Sequence, residues 1–288
     1  MQLANYHTHT IFSDGKSNPK DYIESAIEKG LTAFGFSDHA PVLFDTSYCM
    51  PMEKLNNYLI EIDRLKFDFA DRIEIYKGLE VDYIPGEVSI LEDYIQSSML
   101  DYTIGAVHFV DYWSDGKPWV IEGAEDVFQK GINEIFEGDI EAVLTRYFGL
   151  IREMVQTACP TIVAHLDRIK KQNKGEKYYS EKSSWYKKAV EQTLEMIAES
   201  KAILEINTKG VYKGVTDDFY PSTWVLKMAY EMNIPIHLAS DCHHPSLITG
   251  GFDNAMKKIK KLGFKDIQLL KNGIWQPFEI ERKIHFSV

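Results

Sequence analysis

Near its start the chain carries Asn5-Tyr6-His7-Thr8-His9, followed by Asp14 and Gly15. In an extended strand side chains alternate faces, so His7 and His9 point the same way and can present two imidazoles to one point. Imidazole is a strong ligand for zinc, manganese and iron, and Asp14 adds a carboxylate in the loop that follows. A His-x-His pair alone is a weak signal. The same residue types, however, close further apolar runs. Phe34-Gly35-Phe36-Ser37 leads to Asp38-His39, Gly78-Leu79 to Glu80, Val107 to His108, Ala164 to His165, and Ser240 to Asp241 with His243 beyond it.

A histidine ending an apolar run is commonly a hydrogen-bonded structural residue. Many such endings from unrelated parts of one chain would each need a separate partner if placed beside a core. A shared set of cations satisfies them together. The candidates number six histidines (His7, His9, His39, His108, His165, His243) and three carboxylates (Asp14, Glu80, Asp241). One zinc takes three or four protein ligands, so this set suits two or three ions, with Glu80 the expected bridge. Nitrogen and oxygen donors without cysteine fit Zn, Mn or Fe and do not select among them. Clustered cations of this kind favour hydrolysis of a phosphate ester, because they make hydroxide at neutral pH and stabilise both attacking and leaving oxygens.

The elements that must position these residues alternate along the chain. Asn18, Pro19 and Gly30 mark the cap, first turn and exit of a helix. Residues 52–70 carry Leu55, Leu59, Ile62, Leu65 and Phe69 at helical spacing. Strands are expected at His7 and over 32–37, 73–77, 102–107, 161–164, 202–206 and 234–239. Helices fill the gaps, notably 126–136, 141–157, 184–199 and 222–231. Seven such β/α units suggest a closed barrel, whose strand ends gather on one face. The five lysines of residues 170–182 predict an exposed, solvated loop. No Pro- or Gly-rich linker divides residues 1–288, so a single domain is expected.

With 44% hydrophobic and 26% charged residues, the chain reads as an ordinary globular protein. Its net charge of −11 argues against a broad basic nucleic-acid surface, and no stable nucleic-acid partner is expected. Cys49, Cys159 and Cys242 are odd in number and scattered, which points to a reducing, cytoplasmic setting. The N-terminus has no signal-like core, and no run of 18 apolar residues exists, so no membrane association is expected. The sequence carries no signal for oligomeric state.

The segments NYHTHTIFSDG, GFSDHAP, GLEVDY, GAVHF, AHLDRI, EINTKG and ASDCHHP, in that order, resemble the PHP (polymerase and histidinol phosphatase) family, and most closely its histidinol-phosphatase branch. The resemblance spans nearly the whole chain. It implies an α/β fold, a distorted (β/α)7 TIM-like barrel with a metal site at the C-terminal ends of the strands. It implies three divalent ions: one on His7, His9, Glu80 and Asp241, a second on Glu80, His108 and His165, and a third on Asp14, His39 and His243. Of these, Glu80, Asp241 and His243 are also expected to be catalytic. The implied reaction is hydrolysis of L-histidinol phosphate, a small phosphorylated substrate, by a hydroxide bridging metals.

Arg168 is the first candidate for a phosphate contact, since its fork suits phosphate; a surface salt bridge is the alternative. The branch usually continues EINT with a segment resembling SGLRK, whereas this chain has Lys209-Gly210-Val211-Tyr212-Lys213, placing a tyrosine where a basic residue is expected. Lys209 or Lys213 could substitute. His244 could donate a proton to the leaving alkoxide or make a loop contact. His237 and His285 read as structural, Cys242 should point away from the metals, and Trp113 and Trp119 either wall a pocket or pack. The competing enzyme reading is a PHP nuclease or nucleotidase acting on short oligonucleotides or nucleotides. A non-catalytic binding module is a third, against which the full ligand set argues.

Overall fold

The computed structural model describes residues 3–44 and 46–280. His285 lies outside them. Seven parallel strands form the main sheet: β1 (Ala4–Asn5), β2 (Ala33–Phe36), β3 (Glu74–Asp82), β4 (Tyr102–Ala106), and, after a small hairpin of β5 (Phe109–Tyr112) and β6 (Pro118–Val120), β7 (Ile162–Val163), β8 (Ile203–Asn207) and β9 (Ile236–Ala239). A second hairpin, β10 (Asp266–Lys271) and β11 (Ile274–Glu279), follows. The helices are α1 (Pro19–Glu28), α2 (Leu55–Asp68), α3 (Asp93–Gln96), α4 (Glu125–Ile135), α5 (Ile140–Thr157), α6 (Ser184–Glu199), α7 (Lys209–Tyr212), α8 (Thr223–Glu231) and α9 (Phe252–Leu262).

The sheet curls into a nearly closed barrel. Its two edges meet where Thr8 bridges Cys242 in parallel and the His9 N–H donates to the Cys242 carbonyl at 3.0 Å. Closure thus falls at the residues just past β1 and β9, which are the residues that carry candidate ligands. The α/β barrel expected from the alternating pattern is the fold observed. No helix among the described residues is long and apolar enough to cross a membrane.

β3 runs longer than its apolar pattern predicts, and Glu80 lies inside the strand. The cause is a stagger between neighbours. The first half of β3 pairs with β2 (Ala33↔Glu74 to Phe36↔Lys77), the second half with β4 (Gly78↔Tyr102 to Asp82↔Ala106). Tyr102 fills the interior between them, its hydroxyl donating to the Tyr6 and Phe36 carbonyls at 2.6 and 2.8 Å. That packing needs glycine opposite it: a Cβ on Gly78 would lie 2.5 Å from the Tyr102 ring, and one on Gly35 2.4 Å from its hydroxyl.

The β10–β11 hairpin was not expected, yet Asn272-Gly273, both at positive φ, is a strong two-residue hairpin turn. It plugs the bottom of the barrel: Tyr6 donates to the Leu270 carbonyl at 2.8 Å, and Trp275 meets the Tyr6 ring edge-on at 5.1 Å. A second correction concerns residues 170–182. Lys170 is buried, not solvated, because its ammonium ties Asp167, Ser222 and the Phe219 carbonyl together. Trp119 is fully buried against Gly131 and Phe128, with Trp113 on its edge, so both tryptophans pack and neither lines the main cavity.

His237 is a core residue: its Nδ1–H donates to the Gln268 carbonyl at 3.0 Å, and burial pushes its pKa down to about 4. The unfolded side chain titrates near 6.5. Between those values the unfolded chain holds the extra proton, so stability falls as pH falls. Replacing His237 with Phe should lower stability at neutral pH but flatten the acid limb of urea unfolding, removing about 3 kcal/mol of its change between pH 7 and 4. An unchanged acid limb would mean that His237 is not held neutral.

Candidate metal centre

All nine predicted donors converge at the C-terminal mouth of the barrel. His7 and His9 are both fully buried, their rings 5.1 Å apart. Thr8 between them faces the wall, donating from its hydroxyl to the Gly35 carbonyl at 2.9 Å. Alternation along the segment just past β1 therefore aims both imidazoles inward. Beyond them the chain is held by Asp38, whose buried carboxylate accepts from the Thr10 N–H at 2.7 Å, the Thr10 hydroxyl at 2.9 Å and the Ser13 hydroxyl at 2.6 Å. Those bonds oppose the burial that lifts its pKa to about 6. They shape the loop that brings Asp14 to the site.

Glu80 sits at the centre. Its Oε2 lies 3.0 Å from His39 Nδ1, 3.2 Å from His7 Nε2 and 3.5 Å from His9 Nε2; its Oε1 lies 3.0 Å from His165 Nε2 and 3.8 Å from His108 Nε2. Asp241 Oδ1 lies 3.3 Å from His9 Nε2 and 3.6 Å from His243 Nδ1. Asp14 completes the rim, with Oδ2 3.1 Å from His243 Nε2. His165 and Asp241 hold φ of 24° and 49°. Such conformations are costly for residues with a Cβ and concentrate at functional sites.

The electrostatics are those of opposite charges crowded out of water. Burial alone would raise the Glu80 pKa, but His7 and His39 beside it hold it well below the ordinary carboxylate range. For His7, burial works downward and is overcome by Glu205, Glu80 and Asp241, which drive it well above the ordinary imidazole value. His9 is lowered by burial and by its neighbours His243 and His39. Several polar atoms are nevertheless orphaned: His7 Nε2, both His9 ring nitrogens, Asp14 Oδ1, His39 Nδ1 and Glu80 Oε2 are buried without a hydrogen-bond partner. Buried polar atoms seldom stay unpaired. Orphans aimed at a common space are what a cation would satisfy.

The donors form four overlapping groups with the spacing needed to ligate an ion: His7, His9 and Asp241; His7, Glu80 and His165; His39, Glu80 and His108; and His9, Asp14, His39 and His243. The site is fit for divalent metal. These groups overlap the sets implied by the family resemblance; His39 contacts both Glu80 and Asp14.

Three carboxylates at the mouth were not revealed by the apolar endings, and two of them orient these donors. Glu205 accepts from His7 Nδ1–H at 2.7 Å, and Asp82 from His108 Nδ1–H at 2.8 Å. Each leaves the Nε2 lone pair for an ion, as a carboxylate–histidine–metal arrangement requires. Glu205 lies inside β8, the one strand that lacked a candidate donor, and Asp82 follows Glu80 on the same face of β3, where a period-of-two reading finds it. Glu122, paired with Arg168, has no comparable local signal.

Above the donors opens a cavity of about 670 Å³. Asp14, His39, Glu80, His108, His165, Asp241 and His243 face it, with Arg168 and Lys209 among them, and Phe44, Tyr48, Phe109 and Val120 make an apolar wall. Lys209 Nζ lies 2.9 Å from Asp241 Oδ1. Arg168 is paired through its fork with Glu122 and buried. The structure does not bring Lys213 or His244 to the cavity. Lys213 is exposed at the end of α7, and exposed His244 folds back onto Ser246 at 2.8 Å. Tyr212 also faces elsewhere, donating to the Ser240 carbonyl at 3.0 Å, so it braces the turn that carries Asp241. Cys242 is buried in an apolar cluster with Phe36 and Ile248.

This barrel with its mouth of histidines and carboxylates is the architecture of a metal-dependent hydrolase, and the sequence matches the PHP domain over residues 5–209. The chain belongs to the PHP family. It is 30% identical over 261 residues to the histidinol-phosphatase of Bacillus subtilis (strain 168), covering 84% of this chain and 94% of that one. It is 28% identical over 283 residues to the histidinol-phosphatase of Lactococcus lactis subsp. lactis (strain IL1403), covering 93% and 94%. The crystal structure of histidinol phosphate phosphatase from the Lactococcus lactis strain, complexed with Zn, L-histidinol and phosphate, shares the fold at a TM-score of 0.69 and 21% identity, covering 96% of this chain and 99% of that one. Within the family, the chain stands in the histidinol-phosphatase branch.

If Glu205 and Asp82 act by orienting imidazoles, Glu205→Gln and Asp82→Asn should each weaken metal affinity by about 10–100-fold while leaving the protein folded. Chelator competition followed by circular dichroism measures both. Unchanged affinity in the two variants would show that the imidazoles are positioned by other means.

Proposed function

We propose that this protein is a single metallohydrolase barrel that hydrolyses L-histidinol phosphate to L-histidinol and phosphate. The observation that carries the reading is the convergence of nine donor side chains, several with orphaned atoms, beneath one cavity. Chain-spanning likeness to histidinol-phosphatases supports the substrate.

In this reading His7, His9, Glu80 and Asp241 hold one cation, Glu80, His108 and His165 a second, and Asp14, His39 and His243 a third, the metal being Zn, Mn or Fe. Bound there, divalent cations activate water at neutral pH and take up charge on the phosphoryl oxygens. The chain's own residues do the rest. Glu80 and Asp241, kept ionised by their neighbours, supply the buried negative charge that makes cation binding favourable. Lys209, now neutralising Asp241, is within reach of a phosphate seated over that carboxylate and is the basic residue that replaces the one absent at Tyr212. Arg168, which lines the same cavity, is the second cationic contact. The Phe44, Tyr48 and Phe109 side excludes water and offers a flat surface to the leaving group's imidazole. The cavity's size suits a small phosphomonoester.

A substrate panel with metal analysis on the same preparation tests this. Phosphate release from histidinol phosphate should exceed that from nucleoside monophosphates and 3′,5′-linked dinucleotides by orders of magnitude in kcat/KM. A preference for the nucleotides would replace this reading with the nuclease or nucleotidase one. Glu80→Ala should both deplete metal and abolish turnover, because Glu80 serves more than one ion; intact metal content and rate would sink the bridging role.

A further inference from the structure

Among the carboxylates lining the cavity, Glu122 alone belongs to none of the candidate metal groups. It follows β6 in the hairpin that walls the cavity, and its carboxylate grips one edge of Arg168. Oε1 accepts from Nε–H, and Oε2 accepts from an Nη2–H at 2.7 Å. A guanidinium has five N–H groups in a rigid plane. Two are committed to Glu122, which leaves one Nη1–H and the second Nη2–H as a fork on the adjoining edge.

The plane itself is also set. The Arg168 Cζ lies 5.0 Å over the Tyr220 ring. The two segments are strapped together beside the ion pair: Lys171 donates to the Glu122 carbonyl at 2.9 Å, and Gln172 donates to the Ile121 and Gly123 carbonyls at 3.1 and 2.8 Å. A buried arginine pair held this firmly is more than a salt bridge of the wall, since Arg168 lines the same cavity as the metal donors.

We propose that Glu122 is a positioning residue for phosphate recognition: by clamping the Nε–Nη2 edge of Arg168 it presents the remaining guanidinium fork to the phosphate oxygens. The proposal rests on the phosphomonoesterase reading, but its test is a binding measurement that does not need turnover. Glu122 Oε1 also lies 3.6 Å from His108 Nε2, and Oε2 3.8 Å from Lys171 Nζ, so the property to measure is whether its effect runs through Arg168.

Calorimetric titration of the metal-loaded protein with inorganic phosphate, alongside KM and kcat, distinguishes the outcomes. Glu122→Gln should weaken phosphate binding and raise KM by about tenfold, the size of one lost charge-assisted contact, with kcat and metal content little changed. In an Arg168→Ala background the same substitution should add nothing. Independent, multiplying losses would mean that Glu122 meets the substrate itself, and loss of metal would place it in the ion site; either overturns the proposal, as does unchanged phosphate affinity. Should Glu122→Gln not fold, Arg168→Lys keeps the charge but removes the fork, and must show the same tenfold loss. If the wild-type chain binds phosphate in this Glu122-dependent way yet hydrolyses no phosphomonoester, the enzymatic reading fails while the positioning role stands.

Discussion

Glu80 is almost wholly buried and lies within 3.0–3.8 Å of ring nitrogens from five histidines. Taking so many titratable groups out of water is expensive unless charge is compensated locally. That requirement organises the upper half of the barrel. It explains why Asp82 and Glu205 stand behind His108 and His7, why Asn207 donates to both Glu205 and Asp241, at 2.5 and 3.1 Å, and why Lys209 reaches in to Asp241. It also explains the atoms left over. Protein carboxylates satisfy the outward nitrogens of His7 and His108, while His7 Nε2, both His9 nitrogens and Glu80 Oε2 are left for cations.

The fold serves this centre through its closure. Pairing of Thr8 with Cys242 joins the first and last barrel strands at the level of the donors, so His7 and His9 are fixed relative to Asp241 by backbone hydrogen bonds. The lower half is a packed plug of Tyr6, Tyr102, His237 and Trp275, braced by the terminal hairpin. Stiffness below and unpaired donors above are two aspects of one design. Strain at His165 and Asp241 is tolerated because packed, hydrogen-bonded surroundings over-determine those turns.

The cavity combines several chemistries. Metal donors and Lys209 line it together with an aromatic wall, whose Tyr48 ring lies 4.8 Å from that of His39, and the Arg168–Glu122 pair joins the hairpin after β4 to the turn after β7. In the proposed reading the cationic contacts come from the turns after β7 and β8, and the apolar ones from the loop after β2 and the β5–β6 hairpin. This separation lets a PHP barrel keep its ion site while the walls adapt to a substrate.

Much of this was legible in the chain. Most donors follow an apolar run, a local property that period-two and period-3.6 patterns expose, and the helices stand within a few residues of their expected bounds. Legibility failed where a side chain's neighbour is remote in sequence. Lys170 reads as solvated among its lysines and is buried because Asp167 and Ser222 meet it. Lys213 and His244 carry suitable chemistry, but the end of α7 and a local turn aim them away. Glu122 and Arg168 are 46 residues apart and find each other only across the barrel mouth. The sequence by itself determined which residue types end the strands, hence the ion-binding chemistry, because strand alternation and apolar patterning are local. Which of those groups share an ion, which cation faces the cavity and which is braced behind it were decided by tertiary structure, since side-chain direction at the mouth depends on how distant loops pack.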